Sequence, residues 1–279
     1  MRVLDTFEIE NATYTAALRA CRRIAPDCLA AIKRAFECES DEKCRFALSA
    51  VIENSFIAEK NALPVCQDTG LAVVFVRLGQ DVFLKGKLLT DAINDGIRRA
   101  YADGCFRAST CDPITRENAG DNLPAVIYTE IVAGDRVNLT IMPKGFGSEN
   151  TSRIFMLDPT VGKEKIVESV IGAVAAAGSK PCPPVIVGVG IGGTFDRAAL
   201  LSKKALLRRV GSVNERADLA ELENEILSGI NSLGIGAQGF GGDVSALAAF
   251  ILAENTHIAG LPVAVNVQCH CSRHEEIEL

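Results

Sequence analysis

A cysteine, an amide, a carboxylate and a hydroxyl stand side by side in LPVCQDTG, residues 63–70, as Cys66, Gln67, Asp68 and Thr69. Pro64 steers Leu63 away from helical geometry, and Gly70 allows a turn that a Cβ would resist. The four groups are therefore expected on a loop between a helix and a strand, where functional groups are commonly presented. Alone, the stretch reads equally well as a buried free thiol beside a solvated carboxylate. Two further cysteines in comparable settings shift that reading: Cys182 in KPCPPVIVGVG, and Cys269 at the end of the apolar run PVAVNVQC. The three lie too far apart for any short CxxC module. Three thiolates from distant segments can hold a four-iron cluster at three irons with the fourth iron open, or zinc with water in its fourth position. Either arrangement supplies a Lewis acid with a vacant place, suited to polarising a hydroxyl or carboxylate oxygen. Geometry alone does not choose between them.

Other segments carry groups of related chemistry. The stretch GCFRASTCDPITRENAGDNLP, residues 104–124, is rich in turn formers and holds Arg107 and Arg116 with Asp112, Glu117 and Asp121. A polar loop this long is more often functional than idle, and solvated surface charge is the competing reading. In KGFGSEN, residues 144–150, Gly145 and Gly147 flank Phe146, with Lys144 before them and Ser148 at an expected helix start. Exposed backbone N–H groups in that setting suit an anion, although the GK[ST] ending of a P-loop is absent. Gly188, Gly190 and Gly193 match GxGxxG after an expected strand. A dinucleotide site then needs a second strand ending in an acid about 20 residues on, and that place holds the charged amphipathic helix NERADLAELENEIL. Tight turns and close backbone approach account better for these glycines. His257 precedes the last apolar run, at an expected helix-to-strand junction.

The elements that must position these groups follow from hydrophobic periodicity. Residues 8 to about 60 read as three helices, with Pro26 and the polar stretch 39–43 as the breaks. LAVVFVRLG, PPVIVGVG and 262–268 read as strands, and AVIYTEIVAGDRVNLTIMP as a hairpin. Helices are expected at 88–101, 162–178, 195–210 and 244–253, and the C-terminal tail as frayed chain or a short helix. The fold class is thus α/β: a helical N-terminal part, about 8–60, then small mixed sheets with helices packed around a site, about 61–279, in one domain. With 279 residues, 48% hydrophobic and 23% charged, the chain has ample core. Its net charge of −6 speaks against a nucleic-acid partner. No signal peptide is recognisable and no apolar run approaches a membrane span, so cytoplasmic residence with reduced thiols is expected. Cys21, Cys28, Cys38 and Cys44 then read as small residues in or near helix interfaces.

LPVCQDTG, RENAGDNLPA, KGFGSEN, CPPVIVGVGIGGTFD, GIGAQGFGG and AVNVQC, in that order, resemble the alpha subunit of iron–sulfur fumarate hydratases, a type shared with L-tartrate dehydratase. The resemblance covers nearly the whole chain from about residue 8. It implies a [4Fe–4S] cluster on Cys66, Cys182 and Cys269, with Cys271 non-ligating. It implies further that Gln67 and Asp68 line the substrate site, that Arg107 grips a substrate carboxylate, and that the Gly145–Gly147 loop offers backbone N–H groups. Phe146 departs from the middle glycine of the family pattern KGGGSEN. His257 matches a histidine near the site, and Gly120–Asn122 belongs to the pattern with no role assigned.

The implied activity is a hydro-lyase that reversibly dehydrates a 2-hydroxy dicarboxylic acid, malate to fumarate first, with L-tartrate or a methyl-substituted diacid as alternatives. Asp68 is the candidate for proton traffic at the leaving oxygen, with His257 tuning or relaying it. The family draws further arginines, a lysine and a threonine base from a second polypeptide or a fused domain. A separate beta subunit and symmetric self-association are therefore expected. A zinc-bound or electron-transfer module without hydratase activity is the reading from another class.

Overall fold

The computed structural model describes residues 2–279. In chain order its elements are β1 (Arg2–Asp5), α1 (Thr6–Arg22), α2 (Pro26–Cys38), α3 (Glu42–Lys60), β2 (Leu71–Gly79), β3 (Val82–Lys85) and α4 (Leu89–Asp103). There follow β4 (Val126–Val132), β5 (Val137–Lys144), the single turn α5 (Phe146–Glu149), β6 (Arg153–Leu157), α6 (Lys163–Ala177), β7 (Val185–Gly193) and α7 (Phe195–Ala205). The chain ends with α8 (Ala217–Asn231), β8 (Ala246–Thr256), β9 (Leu261–Gln268) and β10 (Glu275–Glu278). It divides into two compact units: one of Met1–Ala25, Asn54–Phe146 and Arg273–Leu279, the other of Pro26–Glu53 and Gly147–Ser272.

The first unit is built on a four-stranded sheet of order β10-β5-β2-β4. Ala72 to Val76 of β2 are all buried, as befits a strand covered on both faces, and such a strand takes an interior place. It pairs antiparallel with β5 and parallel with β4. The expected hairpin between β4 and β5 is thereby corrected, because the two turn-linked strands lie on opposite sides of β2. The C-terminal tail is also a strand: β10 pairs antiparallel with β5, and Ile277 packs against the core. Four residues, three of them Glu, carry too little β signal to be read from sequence. α1 starts at Asp5, whose carboxylate accepts the Phe7 N–H at 2.9 Å. Its buried face, Ile9, Ala12, Thr13, Ala16, Ala17, Ala20 and Cys21, recurs at helical spacing. α1 lies so close to α4 that a Cβ at Gly96 would stand 2.6 Å from the Glu10 carbonyl oxygen.

The second unit has a sheet of order β6-β9-β7-β8, with β7 parallel to β8 and antiparallel to β9. Val185, Val187 and Val189 share a core with residues of α6 and α8. Gly188 and Gly190, on the opposite face by strand alternation, meet α7. The glycines are there for close backbone approach, in keeping with the reading that set the dinucleotide motif aside. Residues 244–253 form most of strand β8 instead of the expected helix. An Ala-rich apolar run has no polar face to fix its period, and the open edge of β7 supplied the ladder. α7 ends at Ala205, five residues short of the expected bound. No helix of the described residues is long and apolar enough to cross a membrane.

Two glycine substitutions should move stability in opposite directions. A Cβ at Gly190 would strike the Ala198 carbonyl and come within 2.6 Å of Ser202 N, so Gly190→Ala should cost about 1–3 kcal/mol. Gly172, in α6, has open space around its Cβ position, and Gly172→Ala should add about 0.5–1 kcal/mol. Denaturant midpoints of the two variants check both.

Candidate functional site

In the first unit, residues 61–70 form the irregular segment between α3 and β2 that the sequence reading anticipates. Its conformation is set by bonds reaching it from several elements. The Val65 N–H donates to the Cys21 carbonyl at 2.9 Å, and the Asn54 amide donates to the Val65 carbonyl at 2.9 Å. Tyr101, buried on α4, donates its hydroxyl between the carbonyls of Thr69 (2.8 Å) and Gly70 (3.0 Å). The guanidinium of Arg273, itself 3% exposed, donates to the Asp68 carbonyl. Burial pushes the Cys21 thiol up to about 11 and the Tyr101 hydroxyl well above its ordinary value, so both stay protonated beneath the loop.

On this support the chemical groups of the loop come close to two other segments. The Cys66 thiol, partly exposed, donates to its neighbour Gln67 Oε1 at 3.4 Å. Asp68 accepts the Gly70 N–H through Oδ1 (3.0 Å) and the Phe146 N–H through Oδ2 (2.8 Å). Its carboxylate thus ties the loop to the KGFGSEN segment, and each oxygen retains a further lone pair. The Phe146 N–H, one of the expected loop donors, bonds Asp68 in this structure. Thr69 Oγ1 donates to the Arg107 carbonyl at 3.0 Å. The Arg107 guanidinium is exposed and has no hydrogen-bond or ion-pair partner among the described residues.

In the second unit, Cys182 precedes β7 and Cys269 follows β9. The antiparallel register, Ile186 opposite Gln268, brings the two together at one end of the sheet. The Cys182 carbonyl accepts the backbone N–H of His270 at 3.3 Å. Cys182 is exposed with φ +54, and Cys269 is partly exposed. Gln238, also in the left-handed region at φ +55, reaches this pair. Its Nε2 donates to the Pro183 carbonyl at 3.1 Å and meets His270 Nδ1 at 3.0 Å. Nδ1 also lies 2.9 Å from the Cys182 carbonyl, so the His270 ring stands between Gln238 and Cys182, its role toward each set by the tautomer. The turn carrying Gln238 is anchored by Glu39, whose carboxylate accepts the N–H groups of Asp243 (2.9 Å) and Val244 (3.1 Å). Burial works to raise the Glu39 carboxyl, but the N–H groups of Asp41, Asp243 and Val244, with Cys44, outweigh it and hold it below its ordinary value. Cys44 accepts the Ala237 N–H at 3.1 Å, and burial pushes its thiol up to about 12.

His257 is an exposed residue of the β8–β9 turn, where its Nδ1 accepts the Ala259 N–H at 3.1 Å. Gly193 pairs with Thr256, so His257 stands at the opposite end of the sheet from Cys182 and Cys269, roughly 25 Å along β9. It lies between two strands and not at the expected helix-to-strand junction. The three expected ligands divide between the units, Cys66 in one and Cys182 with Cys269 in the other. Among the described residues no three His, Cys, Asp or Glu side chains gather as a metal-holding group. The donor chemistry nonetheless fits a thiolate-bound metal group. Cys66, Cys182 and Cys269 reach the surface on irregular chain, as Cys105 and Cys111 also do, whereas Cys21, Cys28, Cys44 and Cys271 are buried, with burial raising the first three. Gln238, Tyr101, Asn122 and Arg273 were not identified as site residues from the sequence. For Asn122 and Gln238 the available signal was their place in the motifs AGDN and GIGAQGFGG; Tyr101 and Arg273 had none.

The described residues form an α/β subunit whose loops at strand ends display thiols, a carboxylate and a guanidinium with no partner among them. The family profile described as fumarate hydratase (Fumerase) matches residues 10–278. A Methanocaldococcus jannaschii protein named "Putative L(+)-tartrate dehydratase subunit alpha" is 42% identical over 249 residues, 87% of each chain. The L(+)-tartrate dehydratase subunit alpha of Escherichia coli K12 is 30% identical over 266 residues, 94% of this chain and 87% of its own. The chain belongs to the fumarate hydratase family of hydro-lyases.

The Gln238 contacts make a direct prediction. Gln238→Leu, which keeps bulk and removes the amide, should speed hydrogen exchange at His270 N–H by about fivefold, the loss of a bond worth roughly 1 kcal/mol. Exchange in α6 should not change. Mass-spectrometric exchange of peptides covering 265–273 and 163–177 measures both.

Proposed function

We propose that this chain is the alpha subunit of an iron–sulfur hydro-lyase that reversibly dehydrates a 2-hydroxy dicarboxylic acid, and that a separate beta subunit completes its site. The observation that carries the reading is the Asp68–Thr69–Arg107 arrangement. A carboxylate and an unpartnered exposed guanidinium are held on one hydrogen-bonded loop system beside Cys66. The names of the relatives support the alpha-subunit assignment, and L-tartrate is the second substrate reading because both carry that name. An extra hydroxyl on the diacid would be read by one or two pocket contacts, and Phe146 is the departure from the family pattern nearest to hand.

In this reading Cys66, Cys182 and Cys269 hold a [4Fe–4S] cluster, kept by reduced thiols in the cytoplasm. The cluster, when bound, supplies a Lewis-acidic iron for the substrate's hydroxyl and adjacent carboxylate. Arg107 takes the other carboxylate in the planar, two-pronged manner of a guanidinium. Gln67 and the backbone of Gly145 and Gly147 add polar contacts, which stabilise charge developing beside that carboxylate. Asp68, already oriented by two N–H groups, serves the leaving oxygen in its acid form: a proton taken up from solvent passes from its carboxyl to the departing hydroxide, giving water and leaving the carboxylate. The proton lost from the neighbouring carbon goes to a base on the beta subunit. A relay through His257 would have to span the length of β9 within one copy, so His257 joins the site only if a second copy of the chain presents it, consistent with self-association.

Two experiments test this. Serine at Cys66, Cys182 or Cys269 should abolish the iron, sulfide and visible absorption of anaerobically reconstituted protein, while Cys271→Ser, at a site 3% exposed, should keep them. The purified chain should be inactive on malate and tartrate and gain dehydratase activity with its beta subunit. Full turnover by the chain alone would falsify the two-subunit reading, and stoichiometric zinc without iron would sink the cluster.

Arg107→Lys keeps the charge and loses the fork. In the assembled enzyme kcat/KM should fall by about 10–100-fold, as one charge-assisted bond is lost, with the cluster spectrum unchanged. Unaltered kinetics would take Arg107 out of the site.

A further inference from the structure

Asn122 joins two loops of the candidate site by hydrogen bonds from both ends of its amide, and no catalytic step uses it. It is 1% exposed, in the first unit, at φ +57. Its Oδ1 accepts the N–H of Ser109 (2.8 Å), the N–H of Thr110 (3.2 Å) and the Thr110 hydroxyl (3.2 Å). Its Nδ2 donates to the Gly70 carbonyl at 3.1 Å. One buried amide thus spans two functional loops, the segment after Arg107 and the segment after Asp68.

We propose that Asn122 is a positioning residue for Arg107, locking the 107–110 backbone to the Cys66–Gly70 loop so that the guanidinium is presented in one direction; this rests on the diacid-binding role given to Arg107 above. The guanidinium has no hydrogen-bond or ion-pair partner among the described residues. Where the side chain leaves the chain is therefore set by its backbone, which is held from both sides. Phe106 is buried edge-on against Tyr101, with ring centroids 5.5 Å apart. Thr69 Oγ1 bonds the Arg107 carbonyl, and Asn122 bonds the next two peptide N–H groups. The first two act at or before Arg107; on the C-terminal side the Asn118 amide donates to the Ala108 carbonyl at 2.7 Å, and Asn122 is the side chain that joins residues 109–110 to the Gly70 backbone. An amide is required because the position needs an acceptor toward 109–110 and a donor toward Gly70. Asp supplies only the first, and it would set an oxygen against the Gly70 carbonyl. The left-handed backbone adds a separate demand, which Gly, Asn and Asp all meet.

That separation makes the proposal testable. Asn122→Gly keeps the backbone conformation and deletes the lock, whereas Asn122→Asp keeps the bonds toward 109–110. Hydrogen exchange of the full chain should accelerate about tenfold or more at residues 108–111 in Asn122→Gly and less in Asn122→Asp, with α4 unchanged. In the alpha–beta complex, Asn122→Gly should raise KM for the diacid about tenfold with the cluster absorption retained. Combined with Arg107→Lys it should add little to the Arg107→Lys loss, since both act through one guanidinium. Unchanged exchange at 108–111 overturns the lock. Accelerated exchange with an unchanged KM, or a full multiplicative loss in the double variant, overturns the link to Arg107. If the wild-type complex dehydrates no diacid, the functional reading falls by itself, and the exchange measurement still decides whether Asn122 joins the loops.

Discussion

The first unit depends on how closely the backbone at Gly70 lies against the backbone at Lys144. Gly70 sits at φ +80, and a Cβ there would stand 2.7 Å from the Lys144 nitrogen and 2.9 Å from the Pro143 carbonyl carbon. No L side chain tolerates that approach. The contact starts the β2–β5 ladder at Leu71 opposite Lys144, so the residues just outside the ladder on each strand are thrown together. These are the CQDT segment and Gly145–Phe146, which explains why Asp68 reaches the Phe146 N–H. The Gly70 carbonyl then receives Tyr101 and Asn122, and the 104–124 loop is drawn onto the same point.

The second unit uses the same device with other residues. Antiparallel pairing of β7 with β9 makes the chain before one and after the other into neighbours, and Cys182 and Cys269 occupy those positions. The glycines of β7 admit α7 on one face while valines build the core on the other. The sheet end is therefore stiff where the thiols leave it. Glu39 and Cys44 hold the Gly-rich turn of Gln238, and Gln238 steadies the backbone around both cysteines. In both units, side chains such as Tyr101, Asn122 and Glu39 bond the backbone of these loops, because irregular chain keeps a shape only when its polar backbone groups find partners.

A buried thiol and a surface thiol illustrate how placement decides chemistry. Cys21 and Cys44 have the same side chain as Cys182, yet burial raises the first two and keeps them as thiols within helix contacts. Cys182, exposed on left-handed backbone, is accessible from outside the unit. His257 shows the converse. It lies twelve positions before Cys269 in sequence, but those positions are mostly one extended strand, so proximity in sequence became separation in space.

The sequence by itself determined the local order of the chain. It was legible that helices open the fold, that CQDTG lies between a helix and a strand, that 104–124 is loop, and that the glycines of VGVGIGG serve packing. These follow from period, turn chemistry and side-chain volume, which act over a few residues. The ordered motifs also sufficed to identify the family. Only the tertiary structure decided what pairs with what: β2 between β4 and β5, residues 246–256 as a strand, and the Glu-rich tail as a sheet edge. It alone showed that Asp68 spends an oxygen on Phe146, that Asn122 bridges two loops, and that His257 stands apart from the cysteines of its unit. Strand partners and long-range hydrogen bonds are chosen by competition among all segments at once. A short apolar or acidic run carries too little period to record that outcome in its own residues.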